Sequence, residues 1–145
     1  MKTENRVLLL RASFWIAAIL DAIYALNAGL VWLIDDYAGF DPIRLLRFTE
    51  GMESRYAWGL TCVLISSWTL LLIWADRAPI ERKAVGLLTA FPLVSGLLID
   101  TVFAVSVGLV SWVDILAVQL VYISLIVLLT SSYFLTRALG KLEEE

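Results

Sequence analysis

The sequence predicts an all-α integral membrane four-helix bundle, a single four-span transmembrane domain over residues 1–145. Three observations predict it. Apolar residues make up 61% of the chain and charged residues 17%, whereas a soluble domain is roughly 45–50% apolar. Mean hydropathy is +0.86. The apolar residues also gather in four blocks, each near or above the about 20 residues a helix needs to cross the hydrocarbon core.

The blocks place spans at about 7–34, 56–75, 84–110 and 112–139. The first exceeds the roughly 7–15 apolar residues of a signal peptide, and Arg11 and Asp21 interrupt it, so it reads as a retained span. Between it and the second lies an outer loop, 35–55. There Asp41-Pro42 suits a helix N-cap followed by N1. The residues after it group Ile43, Leu46 and Phe48 apart from Arg44 and Arg47, which predicts a short amphipathic helix at the membrane surface. Spans two and three are joined by a charged turn whose Pro79 sits poorly inside a helix. In span three Pro92 predicts a kink. Ser111, three residues before Asp114, reads as a capping box opening span four, so spans three and four form a tight hairpin. Gly140 offers a helix stop, and 140–145 reads as a solvated tail.

Four spans put both termini on one side. That side carries Lys2, Arg6, Arg11, Arg77, Arg82, Lys83, Arg137 and Lys141; the other carries Arg44, Arg47 and Arg55. The positive-inside rule then places both termini in the cytoplasm of a multi-pass protein of the plasma or inner membrane. Arg11 is expected to snorkel to the inner interface.

The counts narrow the chemistry. Histidine is absent and Cys62 is the one cysteine. His-based catalysis, His-ligated metal, intrachain disulfides and thiolate cages are excluded. Net charge is −3 with no basic run, which argues against nucleic acid. No cofactor motif is present. The expected partners are the lipid bilayer and either a second copy of the chain or another membrane protein.

Spans one and three echo each other. At a fixed offset Asp21 meets Asp100, Ala25 meets Ala104, Gly29 meets Gly108, and Leu30-Val31 meets Leu109-Val110. Spans two and four match poorly, so the echo is either a two-fold pseudo-repeat or one packing solution used twice. Ala17, Asp21, Ala25 and Gly29 are four apart, as are Gly96, Asp100, Ala104 and Gly108. Each set lies along one helix face. Small residues at that spacing let transmembrane helices approach closely, so both carboxylates are expected to face the bundle interior and each other.

Other polar groups fall at the same depth or farther out: Asn27 on span one, Ser66 and Ser67 on span two, Gln119 and Tyr122 on span four. Glu53 and Arg55 stand near the mouth of this cluster. Two carboxylates in hydrocarbon with no neighbouring cation resist joint ionisation. They can be protonated, share a proton as a coupled pair, or hold a hard cation through oxygen ligands. They can also serve only as hydrogen-bonding glue between helices. The first three outcomes point to proton- or cation-linked transport of a small solute by an oligomer. The fourth fits a lipid- or ligand-binding or accessory subunit. A lipid-modifying enzyme is the weakest reading, because no nucleophile, metal motif or phosphate cradle accompanies the acids. Four spans with a carboxylate in the first resemble the general plan of small multidrug transporters. None of their sequence motifs is present, and the outer loop is longer than their compact form allows.

Overall fold

A computed structural model describes residues 3–34, 52–108 and 110–140, with side chains from 56 onward in the second stretch and to 137 in the third. The predicted amphipathic segment 42–48, most of the outer loop and the tail 141–145 lie outside the described residues. The chain forms α1 (Thr3–Leu33), α2 (Met52–Asp76), α3 (Ala84–Leu88), a wide helical turn Thr89–Val94, α4 (Ser95–Ser106) and α5 (Trp112–Gly140). Four helical runs are long and apolar enough to cross a membrane: Thr3–Leu33, Tyr56–Asp76, Ala84–Ser106 and Trp112–Arg137. The protein is therefore a four-helix, multi-pass membrane protein.

Contacts set the topology. Gly29 meets Cys62 and Gly59 meets Trp32 at the outer end of the α1–α2 seam, while Arg11 meets Asp76 at the inner end. The two helices are thus antiparallel. Ser13 pairs with Ser132, and Gln119 with Thr101, so α5 runs antiparallel to both α1 and α4. The main core lies in the inner half, where Leu10, Phe14, Ala17 and Ala18 of α1 meet Leu72 and Ala75 of α2, Val85 and Ala90 of span three, and Leu129 of α5. Gly86 admits the Phe14 ring: a Cβ there would stand 3.1 Å from Cε1.

The outer half is looser. There α4 packs on α5, and α1 packs on α2 and α5; α1 and α4 do not pack along one another, and α2 reaches span three mainly at α3. The break behind this opening is at Phe91, whose φ of −109° and ψ of 125° are extended. A residue before proline is pushed out of the helical region, and Pro92 supplies no N–H to bridge the gap. The predicted kink is present, and it is strong enough to divide the span.

Two boundaries differ from the sequence expectation. Span one begins at Thr3 and not near 7, since polar residues tolerate a helical end outside the hydrocarbon. Span three ends at Ser106 and not near 110, because Gly108 adopts φ +77° and closes the last turn, its N–H donating to the Val105 carbonyl at 3.0 Å. Ser111 and Asp114 do meet at the start of α5. Their bond runs from the serine hydroxyl to the carboxylate at 2.7 Å, and the Asp114 N–H donates to the Ser111 carbonyl at 3.1 Å.

Candidate functional site

Asp21 occupies the middle of α1, a helix otherwise kept apolar by the need to cross lipid. The residue is half-buried, yet its Oδ2 is fully enclosed and accepts no hydrogen bond. Tyr122 of α5 is half-buried and lies within Coulombic reach of Tyr24, Asp21 and Asp100. Above Asp21, Tyr24 places its ring 6.5 Å from that of Trp58. Asn27 is buried on the same helix.

Three residues before Tyr122 on α5, Gln119 donates to Thr101 Oγ1 at 2.6 Å and to the Leu98 carbonyl at 3.3 Å. Those bonds hold α4 against α5 and set the height of Asp100. Asp100 itself is exposed on the chain surface and makes no hydrogen bond or ion pair among the described residues.

The arrangement corrects the expectation of two inward-facing acids on two close-packed stripes. The stripe of α1 behaves as expected: Ala17 and Ala25 are buried, and Gly29 approaches Cys62 so closely that a Cβ would stand 3.1 Å from the sulfur. The stripe of α4 does not. A Cβ at Gly96 or Gly108 would meet nothing within 4 Å. The break at Phe91 divides span three, and α4 packs on α5 without packing along α1, so the two acids do not meet along a helix seam.

Ser66 and Ser67 separate from the cluster. Ser66 lines an apolar groove of about 480 Å³ between α1 and α2, together with Ala22, Ala25, Gly29 and Cys62. Ser67 is exposed, and its hydroxyl donates to the Val63 carbonyl at 2.8 Å. Trp68 ties α2 to span three, its Nε1 donating to Thr89 Oγ1 at 3.1 Å. The side chains of Glu53 and Arg55 lie outside the description.

The buried aspartate among the described residues is Asp76, at the inner end of α2. Arg11 grips it through Nε at 2.9 Å and NH2 at 3.1 Å, and Trp15 Nε1 adds a third donor at 3.2 Å. Arg11 does more than snorkel: it clamps α1 to α2 in the fork geometry suited to a carboxylate. Nearby, Arg82 stacks 3.6 Å above the Trp74 ring and donates to the Trp74 carbonyl at 2.6 Å. The clamp joins a residue two turns inside α1 to the last residue of α2. With three donors converging, Asp76→Leu is expected to lower unfolding stability more than Asp76→Asn, which keeps an acceptor oxygen. Unfolding in mixed micelles checks the order, and equal losses would mean that the bonds contribute nothing.

Among the described residues no group of three His, Cys, Asp or Glu side chains stands close enough to hold a metal ion. The molecule belongs to the class of four-helix membrane proteins and carries a partly enclosed carboxyl–phenol group near mid-span. No family model, curated protein or solved structure matches the chain.

Proposed function

We propose that Asp21, Tyr122 and Asp100 form a proton-binding site in a small transporter that couples proton movement to a solute. The observation that carries this reading is the enclosed, unpartnered Oδ2 of Asp21. A carboxyl oxygen shut from water without a donor is poorly accommodated as an anion. Protonation removes the charge, and the Tyr122 phenol, within electrostatic reach of both acids, is the group that would exchange a hydrogen bond with them. Intramembrane ionisable groups mark ion and proton pathways more often than they occur by chance. Asn27 and Gln119 are the supporting polar groups in this reading, and the sequence spacing assigns Glu53 and Arg55 to its mouth. The basic residues at the inner end support cytoplasmic termini.

Carbodiimide tests the site with a defined probe. The reagent attacks protonated carboxyls in apolar surroundings. In proteoliposomes it is expected to modify Asp21, with labelling falling as pH rises, and Asp21→Asn is expected to abolish proton uptake driven by a pH gradient. Labelling absent at every pH would sink the proton site.

A second reading has its own observation. The α1–α2 groove is lined almost wholly by apolar side chains and has a volume suited to an acyl chain. In that case the protein is a lipid-binding or accessory subunit. Asp21→Asn would then leave function intact, while bulk introduced at Gly29 or Cys62 would remove lipid binding.

A further inference from the structure

We propose that the inner end of α2 and the turn after it bind an anionic phospholipid, its phosphate held by Arg82 against the face of Trp74 and its acyl chains lying outward along α2. The site stands apart from the proton reading, and neither needs the other.

The turn over 77–83 is built around one carbonyl. That of Trp74, in the last turn of α2, accepts the Arg77 N–H at 3.3 Å and Arg82 Nη1 at 2.6 Å. The second bond folds Arg82 back, and its guanidinium carbon stands 3.6 Å from the centroid of the Trp74 ring. Stacking on the indole and the bond to its backbone both hold the planar group in place. The Nε–Nη2 edge of the fork is left over. Among the described residues it has no acceptor, and Arg82 has no ion pair. Two coplanar donors of this kind match two oxygens of a phosphate. On the same turn Arg77 is exposed and Lys83 half-buried, and neither has an acid partner among the described residues.

Charge selects an anion, and depth selects a lipid. The described basic side chains at this end are Arg6, Arg11, Arg77, Arg82, Lys83 and Arg137. The described acids are Glu4, Glu81 and Asp76, and Asp76 is taken by Arg11. With Lys2, Lys141 and the tail acids Glu143, Glu144 and Glu145 included, basic residues still exceed acidic ones. Membrane orientation calls only for charge at this end; it does not call for a guanidinium fixed with one edge open. Asp76 closes the apolar span and the turn follows it, so Arg82 stands at the level of the headgroups. Trp74 is 48% exposed, as suits an indole at that interface. One turn outward Leu70 is 66% exposed and borders the α1–α2 groove, and Ser67 and Val63 continue the same exposed face. A free phosphate gains nothing from that surface, whereas a diacyl phosphate gains contact along it. With the cytoplasmic termini proposed above, this is the leaflet that carries anionic lipid.

Native mass spectrometry tests the site on the full chain, released from micelles holding equal amounts of phosphatidylglycerol and phosphatidylcholine. The unmodified protein is expected to retain one phosphatidylglycerol about tenfold more often than phosphatidylcholine, since each basic residue near an anionic headgroup contributes about fivefold. Arg82→Gln is expected to lower that preference about fivefold. Arg82→Lys, which keeps the charge and loses the fork, should restore it only in part, and Arg137→Gln, at the end of α5, should change it little. Equal retention of the two lipids by the unmodified chain would overturn the site, and that measurement needs no variant to fold. Full retention by Arg82→Gln would overturn it too, as would an equal loss in Arg137→Gln, which would mean diffuse charge. Displacement of the lipid by millimolar inorganic phosphate would replace the lipid site with one for free anions.

Discussion

Asp21→Leu is expected to raise the stability of the protein by about 1–2 kcal/mol while eliminating proton binding. Leucine approximates the branched shape of aspartate and carries no polar atom. The enclosed Oδ2 has no hydrogen-bond partner, and a buried group left unsatisfied costs about 1–3 kcal/mol. The estimate falls at the low end because the residue is half-buried and because polar groups also find partners in the membrane-unfolded state. The sign matters more than the size. If Asp21 were glue between helices, its removal would destabilise the bundle. A residue held against stability is one retained for its chemistry. Reversible unfolding in mixed micelles, with carbodiimide labelling on the same samples, measures both quantities. A loss of stability in Asp21→Leu would favour the structural role.

Phe14→Ala is expected to cost about 3 kcal/mol, the largest effect of any single core truncation. Phe14 is 1% exposed and packs against Leu10, Leu72, Val85 and Leu129 in the inner core. Burying the ring brings α1 against α3 at Gly86 and against α5 at Leu129. Phenylalanine to alanine in a core costs about 3–5 kcal/mol in water. In lipid the apolar transfer contribution largely vanishes and the lost packing remains, which favours the lower figure. The reciprocal change, Gly86→Leu, drives a side chain into the ring at a site where even a Cβ is tight, and overpacking of this kind costs about 1–3 kcal/mol. Unfolding midpoints of the two variants and their double mutant check the coupling. A Phe14→Ala loss below about 1 kcal/mol would mean that the inner halves of the helices are not held together by this ring.

The two effects belong to opposite ends of the bundle. Inner ends are locked by the Phe14 core, the Ser13–Ser132 contact at 3.1 Å and the Arg11–Asp76 clamp. Beyond the break at Phe91 the outer halves form two pairs, α1 with α2 and α4 with α5, and α1 does not pack along α4.

Several features were legible in the chain itself. The spans follow from apolar runs of sufficient length, since lipid admits only backbone that satisfies its own hydrogen bonds. The kink follows from Pro92, and the α1–α2 approach follows from Gly29 in a four-residue stripe. Asp21 stood out because an acid in an apolar helix has few innocent explanations. The matching pattern around Asp100 misled: the same spacing of glycine, aspartate and alanine packs on α1 and stays uncovered on α4. A stripe states what a helix can pack against, not what the rest of the chain brings to it. The Arg11–Asp76–Trp15 clamp was missed because residues far apart in sequence, each of which looked like an ordinary helix-end group, converge only after α1 and α2 align.

Sequence by itself determined the number of helices, their lengths and which residues are too polar for lipid. Hydropathy and helical rise act locally and are written in consecutive residues. Tertiary structure decided that Asp21 is half-buried and Asp100 exposed, that Tyr122 lies within electrostatic reach of both, and that Asp76 meets Arg11. Those outcomes depend on how far one backbone break turns α4 from its neighbours, and a turn of that size arises from packing among helices, which no single segment encodes.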